Sequence, residues 1–284
     1  MKQLINYIIS ELRGFYPEEE LRELAYWIIE ESTGMTRTQI LTDCKDTQNI
    51  SNMEIILQKL CAHEPIQYIF GHTEWMGLDL RVTPATLIPR PETAELVEWI
   101  LQVGDRDKPL RVLDIGTGSG CIAIALKKAA PHWQVTGLDI SEEALAVAKE
   151  NATRNKVEVN WLQADILSPI AHCPLPIADI IVSNPPYICN SEKKYMDTRV
   201  LNYEPHSALF VPDTDPLLFY RQIASLAPSP HRPIASSPLN MFFEINEAYG
   251  NEVCAMMEQM GYTDIQLKND MYGKPRMVFG AIAR

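Results

Sequence analysis

Residues 112–123 read VLDIGTGSGCIA. An apolar run ends in Gly116, Gly118 and Gly120 and passes directly into a helical pattern that starts at Cys121. Glycines at a strand-to-helix turn permit backbone conformations closed to other residues and let the main chain approach a ligand. The spacing is GxGxG, and Cys121 stands where a dinucleotide fingerprint requires its last glycine. No lysine follows in the loop to neutralise a triphosphate, which argues against a P-loop.

Acidic residues surround this turn. Asp114 precedes it, and Asp139 closes the next apolar segment, QVTGLDI, where a carboxylate can accept hydrogen bonds from both hydroxyls of a ribose. Asp165 ends the third segment, LQADI, where it can accept from an adenine amino group, and Ile166 beside it offers an apolar surface for a purine. Asp165 as a helix cap or solvated loop acid is the competing reading. The set fits a cofactor that carries a ribose and no phosphate chain; a bare tight turn is the structural alternative.

Working outward, strands and helices alternate. LRVLDI, QVTGLDI, VEVNWLQA and ADIIVS read as strands, and CIAIALKKA and SEEALAVAKENATRN as helices, the rhythm of a parallel sheet with crossover helices. MFFEI, TDIQLK and PRMVFGAI read as further strands, the last two pairing antiparallel because no long helix separates them. The Pro/Ser-rich stretch 226–240 reads as a surface loop.

Towards the N-terminus the pattern is helical. Leu21, Leu24, Ala25, Ile28 and Ile29 recur at helical spacing after Pro17 and three glutamates. Met53, Ile56, Leu57 and Leu60 form a second face, for which Ser51 and Glu54 have the spacing of a capping box. Around Gly77 and Asp79 a short hairpin is expected, followed by helical ETAELVEWILQ. The division expected is a helical bundle over 1–72, a β-hairpin connector over 73–91 and a cofactor domain over 92–284.

A second motif stands in IVSNPPYI, residues 181–188. A buried strand ends in Asn184, whose conformation the following proline restricts, and Pro186 lacks an N–H, so the turn is stiff and its carbonyls are fixed. Two acceptors on such a turn grip a planar NH2 group, and Tyr187 adds a flat face for an amide or a base. Holding both hydrogens aligns the nitrogen lone pair with an electrophile and stabilises the positive charge that grows as the bond forms. S-adenosylmethionine supplies a suitable methyl group, a ribose and no phosphate, leaving S-adenosylhomocysteine. A protonated amide is strongly acidic, so its surplus proton can leave to water or through the partners of Asn184, and no dedicated general base is required. A stiff turn after a strand is the structural alternative for NPPY.

The 284 residues, 46% hydrophobic and 22% charged, suit a globular protein of one large or two smaller domains. The net charge of −12 and the lack of a basic cluster make DNA an unfavourable partner. Six scattered cysteines form no CxxC pair and no zinc-ligand spacing, so reduced thiols in the cytoplasm, with no metal, are expected. The N-terminal decapeptide lacks a signal-cleavage pattern, no apolar run reaches membrane-spanning length, and no membrane association is expected.

Several motifs in order, EPIQYIFG, LIPRPETAELV, VLDIGTGSGCIAIAL, GLDIS, SNPPYI, NYEPHSALF and DMYGKPRMV, give the chain a resemblance to the PrmC/HemK family of protein N5-glutamine methyltransferases. That resemblance implies an α/β fold, a class I, Rossmann-like methyltransferase domain with a seven-stranded, mostly parallel sheet, and a small N-terminal helical domain for partner recognition. It implies that Gly116, Thr117, Gly118, Ser119, Gly120, Asp139 and Ile166 line the cofactor site, beside Asp114, Asp165 and Asn184. It further implies that Asn184, Pro185, Pro186 and Tyr187 bind a glutamine, with Asn184 Oδ1 and the Pro185 carbonyl accepting its amide hydrogens. The substrate implied is the glutamine of the Gly-Gly-Gln motif in class 1 peptide-chain release factors, and the role is in translation termination. Arg90, Glu92, Glu204 and Arg276 also lie in matching motifs, as site residues or as structural ion pairs. The loop before MFFEI departs from the family, being longer and without its glycine turn. Adenine-N6 methylation of nucleic acid is the nearest alternative, and a non-catalytic cofactor-binding regulator is a third.

Overall fold

Hydrophobic period decides the architecture on both sides of residue 71. The computed structural model describes residues 1–42, 50–168, 175–226 and 239–282, and these divide into two units, Met1–Gly71 with Asp197–Tyr203, and His72–Met196 with Glu204–Arg284.

The first unit contains α1 (Lys2–Leu12), α2 (Glu18–Thr33), α3 (Arg37–Thr42), α4 (Met53–Cys61) and α5 (Ile66–Phe70). The apolar face of α2 is buried at Leu21, Leu24, Ala25, Ile28 and Ile29, and meets Ile8 and Leu12 of α1 and Ile56, Leu57 and Leu60 of α4. Three glutamates occupy the first turn of α2, where they complement the helix dipole, and Gly34 closes it at φ 70°. The capping box expected at Ser51 is not formed. Helix α4 starts at Met53 behind Asn52, which takes the left-handed conformation (φ 66°) and makes no side-chain cap bond; Asn tolerates that region, so the turn replaces the cap.

In the second unit, β1 (His72–Trp75) and β2 (Leu78–Arg81) form an antiparallel hairpin. Its two-residue turn, Met76 and Gly77, has positive φ at both positions (50° and 68°), matching the strand twist. Then come α6 (Pro91–Val103), β3 (Arg111–Ile115), α7 (Cys121–Ala129), β4 (Gln134–Asp139), α8 (Glu142–Arg154), β5 (Asn160–Gln163), β6 (Ile180–Ser183) and β7 (Ile188–Cys189). Helix α9 (Thr198–Tyr203) belongs to the first unit. The chain finishes with β8 (Phe210–Val211), α10 (Leu218–Ala224), β9 (Leu239–Glu244), α11 (Gly250–Gln259), β10 (Thr263–Asn269) and β11 (Pro275–Ile282).

Seven strands form one sheet in the order β10-β11-β9-β6-β3-β4-β5. The five from β9 to β5 are parallel, and β11 is antiparallel to both of its neighbours. Alternate residues face opposite layers. Val112, Ile180, Val182 and Phe242 join Leu96, Ile100, Ile122 and Leu126 of α6 and α7 on one side. Leu113, Ile115, Ile181 and Phe243 join Tyr220, Ile223, Val253 and Met257 of α10 and α11 on the other. The first layer contains Trp99 edge-on to Phe242 at 5.7 Å.

The stretch read as a loop before MFFEI lies outside the described residues except at its ends. Leu226 is buried, and Leu239 and Asn240 already belong to β9, because Leu239 is fully buried in the sheet's second core layer.

Candidate functional site

Strands β3 and β6 are neighbours, so the glycine loop and the NPPY turn emerge side by side at the carboxyl edge of the sheet. A cavity of about 800 Å³ opens there, the position where open α/β sheets bind ligands and a volume typical of small-molecule sites. Gly116, Thr117, Gly118, Ser119, Asp139, Asp165, Ile166, Asn184, Pro185 and Pro186 line it. Of the other residues singled out in the sequence, Arg90 also lines it, whereas Asp114, Gly120, Tyr187, Glu92, Glu204 and Arg276 do not.

The loop is held from behind. Gly116 and Thr117 donate backbone hydrogen bonds to the Leu138 carbonyl, at 2.8 and 2.9 Å. Asp139 Oδ2 accepts from Gly118 N at 2.8 Å and its Oδ1 from Ser141 N at 3.0 Å, which fixes the carboxylate and leaves further lone pairs for a ligand. Gly118 has φ +54° and open space where a Cβ would stand, so the bare backbone faces the cavity. Gly120 has φ +80°, and a Cβ there would meet Trp161 at 2.9 Å; its role is to pack α7 closely on the sheet.

Asp114 is fully buried behind the loop. One oxygen accepts from the Thr117 hydroxyl at 2.6 Å, while Oδ1 has no hydrogen-bond partner. Burial raises its pKa to about 7, with the nearby Asp139 charge acting in the same direction. Asp165 Oδ1 accepts from Leu167 N at 2.8 Å and Oδ2 from the Ser168 hydroxyl at 2.9 Å, so it organises its own turn while lining the cavity.

Apolar side chains that the sequence reading passed over complete the lining. Ile140 is 58% exposed and Leu167 40% exposed, beside Asp139 and Asp165. Bare isoleucine and leucine on a cavity rim form a slot for a flat apolar group. Their signal was position, since each follows a strand-end or turn acid.

Acids predominate in the lining. Asp139, Glu143 and Asp165 face Arg90, the sole Lys or Arg among the described residues that line the cavity, and Arg90 is paired with buried Glu204 at 2.6 Å. Phosphates would find little compensation, whereas a cationic ligand is favoured. S-adenosylmethionine, with a ribose, a purine, a sulfonium and an ammonium group, fits this donor and acceptor set. Cys121 also lines the cavity, but burial pushes its thiol up to about 12, so it remains protonated and is not poised as a nucleophile. Among the described residues no group of three or more His, Cys, Asp or Glu is arranged to hold a metal ion.

At the NPPY turn, Pro185 is buried and Asn184 partly so. The Ser183 hydroxyl donates to the Ile115 carbonyl at 2.6 Å and locks the strand end. Asn184 Nδ2 lies 3.5 Å from Thr93 Oγ1, and the Thr93 hydroxyl donates to Glu244 Oε2 at 2.6 Å. Tyr187 is set back from the cavity; its hydroxyl donates to Glu244 Oε1 at 3.3 Å, and its backbone carbonyl accepts from Asn246 Nδ2 at 3.1 Å. Burial, reinforced by the Glu244 charge, pushes the Tyr187 phenol well above its ordinary range. Thr93 and Glu244 carried a readable signal. Thr93 stands on the same helical face as Leu96, Val97 and Ile100, and Glu244 follows the apolar run Met241–Phe243 at the end of β9.

The other matching motif residues hold loops in place. Glu204 also accepts from Ile88 N at 3.2 Å, and Arg276 pairs with buried Asp270 at 3.0 Å. Glu92 lies in the first turn of α6 and its charge faces Glu244.

A glycine turn with a strand-end acid, a neighbouring rigid acceptor turn and a sheet of this order define a class I methyltransferase. Residues 96–204 match the methyltransferase small domain family and residues 3–71 the PrmC N-terminal domain family. Release factor glutamine methyltransferases of Bacteroides thetaiotaomicron and Flavobacterium psychrophilum are 42% and 41% identical to this chain. Each match spans 98% of the chain, with 99% and 98% of the relative covered. The chain belongs to the release factor glutamine methyltransferase family. A methyltransferase structure from Pyrococcus furiosus shares the fold, with a TM-score of 0.53 at 18% identity over 82% of this chain and all of that one.

Proposed function

We propose that this chain transfers a methyl group from S-adenosylmethionine to the side-chain amide nitrogen of the Gly-Gly-Gln glutamine in class 1 peptide-chain release factors. Family membership over nearly the whole chain supports the activity. The observation that carries the chemistry is the adjacency of the NPPY turn and the glycine loop on neighbouring strands.

When bound, the cofactor supplies an electrophilic methyl on sulfur. Gly116, Thr117, Gly118 and Ser119 would present backbone to it, Asp139 would take the ribose hydroxyls, and Ile140, Ile166 and Leu167 would enclose the purine. Asn184 Oδ1 and the Pro185 carbonyl accept the two amide hydrogens of the glutamine, which turns the nitrogen lone pair towards the methyl group and stabilises positive charge on nitrogen. Pro186 stiffens the turn, and Tyr187 anchors it through Glu244. Transfer would form the bond to nitrogen as the methyl–sulfur bond breaks, and the nitrogen would then release its proton to water. Asp114 holds Thr117 from behind the loop by accepting its hydroxyl.

The helical unit engages the release factor, and the reaction takes place in the cytoplasm, where translation terminates. Among the described residues no helix is long and apolar enough to cross a membrane.

The test is incubation with isotope-labelled S-adenosylmethionine and either an unmodified release factor or adenine-containing DNA and RNA, with the label mapped by mass spectrometry. Label on the Gly-Gly-Gln glutamine is expected. Label confined to adenine would overturn the substrate assignment, and no label despite cofactor binding would overturn the catalytic one.

A further inference from the structure

Asn184 is a side chain whose two ends have opposite hydrogen-bonding character, and only one orientation serves the reaction. With its oxygen towards the substrate it accepts an amide hydrogen. With its NH2 group there, two sets of donors would face each other. The rigid backbone of NPPY does not select between these orientations, because a half-turn about the last side-chain bond exchanges them without moving the main chain.

The selection comes from α6 and β9. Thr93 and Glu244 are each 2% exposed, which leaves water little access to either. Both Glu244 oxygens are engaged as acceptors, Oε2 from the Thr93 hydroxyl at 2.6 Å and Oε1 from the Tyr187 hydroxyl at 3.3 Å. A hydroxyl has one proton. Once Thr93 spends it on the carboxylate, Thr93 Oγ1 has only lone pairs left to offer. The neighbour at 3.5 Å, Asn184, must then present its NH2 group to Thr93 and its oxygen away from it. That contact is at the long end of hydrogen-bond range, as catalytic contacts often are before substrate binds.

Resting on the functional reading above, the geometry points to Thr93 and Glu244 as positioning residues that set the orientation of the Asn184 amide, so that its oxygen faces the nitrogen to be methylated. Burial above all, with the charge of Glu92 on α6, raises the pKa of Glu244, against the opposing influence of the Thr93 hydroxyl, Arg276 on β11 and the Tyr187 hydroxyl. The acceptor role rests on geometry, since a hydroxyl is placed to donate to each carboxylate oxygen. Neither residue needs to touch the substrate.

The experiment compares Thr93→Val, which keeps shape and removes the hydroxyl, with Thr93→Ser, which keeps the hydroxyl. Methyl transfer to an unmodified release factor and cofactor affinity are measured for both, and solvent exchange of the Asn184 side-chain amide protons is followed by NMR. The resonance is assigned by its absence in Asn184→Asp. Expected are a fall in kcat of roughly 10- to 100-fold for Thr93→Val with little change in cofactor affinity, near wild-type kcat for Thr93→Ser, and amide exchange that is faster in Thr93→Val alone. If Thr93→Val does not fold, combining it with Glu244→Gln removes the unpaired buried carboxylate and still deprives Asn184 of its acceptor. Equal kcat in wild type and Thr93→Val, equal losses for Val and Ser, or amide exchange indifferent to residue 93 would each overturn the assignment. A wild-type protein that leaves the release factor unmethylated, yet shows the expected exchange pattern, would sink the functional reading and leave the orientation standing.

Discussion

Gly118 and Asp139 are joined by a hydrogen bond of 2.8 Å from the glycine's backbone N–H to the carboxylate, which ties the loop after β3 to the end of β4. The same carboxylate both shapes the loop and faces the cavity. Asp139→Ala is expected to weaken S-adenosylmethionine binding by about 1.5–3 kcal/mol, the range for hydrogen bonds to charged groups. Turnover at saturating cofactor should change much less. Calorimetric titration beside steady-state kinetics separates the two; equal losses in both would remove the ribose assignment.

Asn184 should behave in the opposite sense. Asn184→Ala removes one preorganised acceptor at the reacting nitrogen, and a loss of roughly 2–4 kcal/mol of transition-state stabilisation is expected, with cofactor affinity nearly intact. Single-turnover methylation is the measurement. A variant that loses cofactor binding and turnover together would assign Asn184 to the cofactor alone.

Asp114 makes stability depend on pH. Its pKa stands at about 7 in the folded state against the ordinary 3.8, so between those values the native protein holds a proton that the unfolded chain has lost. Stability from this group is therefore complete below about pH 4 and declines as pH rises towards 7, by a few kcal/mol at most. Urea unfolding across pH 4 to 8 should show wild type losing stability relative to Asp114→Asn over that window. A flat difference would mean that the buried carboxyl titrates normally.

Two glycines of one loop should respond differently to alanine. At Gly120 positive φ combines with contacts of 2.9 Å to Trp161 and 3.1 Å to Ala148. Gly120→Ala should therefore cost about 2–4 kcal/mol of stability from strain and overpacking together. At Gly118 nothing stands within 4 Å, so Gly118→Ala should cost only the conformational strain, about 1–2 kcal/mol, while its methyl group intrudes where the ligand lies. Denaturant unfolding should rank Gly120→Ala as the less stable variant, with cofactor affinity more affected in Gly118→Ala than its stability loss explains.

Much of the methyltransferase unit was legible because burial writes itself into sequence with a fixed period. CIAIALKKA coincides with α7, and TDIQLK and PRMVFGAI pair antiparallel as their short connection required. The loop and turn residues were legible because only Gly, Asn and Pro meet their backbone demands. The network behind the turn was not read. Thr93 and Glu244 are 151 positions apart, and nothing local announces that α6 and β9 bring them together. The start of α4 was misjudged because Ser51 and Glu54 satisfy the spacing of a capping box, while Asn52 in the left-handed region makes a different turn. Ile140 and Leu167 resembled core residues by type, and their place one and two residues after an acid was the cue that they line the cavity.

Helix α9 joins residues far from it in sequence, besides the local pair of Arg199 with Asp197 at 2.7 Å. Arg199 pairs with Glu20 at 3.1 Å and lies over the Tyr16 ring, and the Tyr203 hydroxyl donates to the Ala62 carbonyl at 2.8 Å. On the ribosome, α1 to α5 emerge first but wait for everything between His72 and Met196 before these contacts exist, on the order of ten seconds at usual elongation rates. A nascent chain paused within that interval carries Glu20, Tyr16 and the Ala62 carbonyl without the groups that complete them.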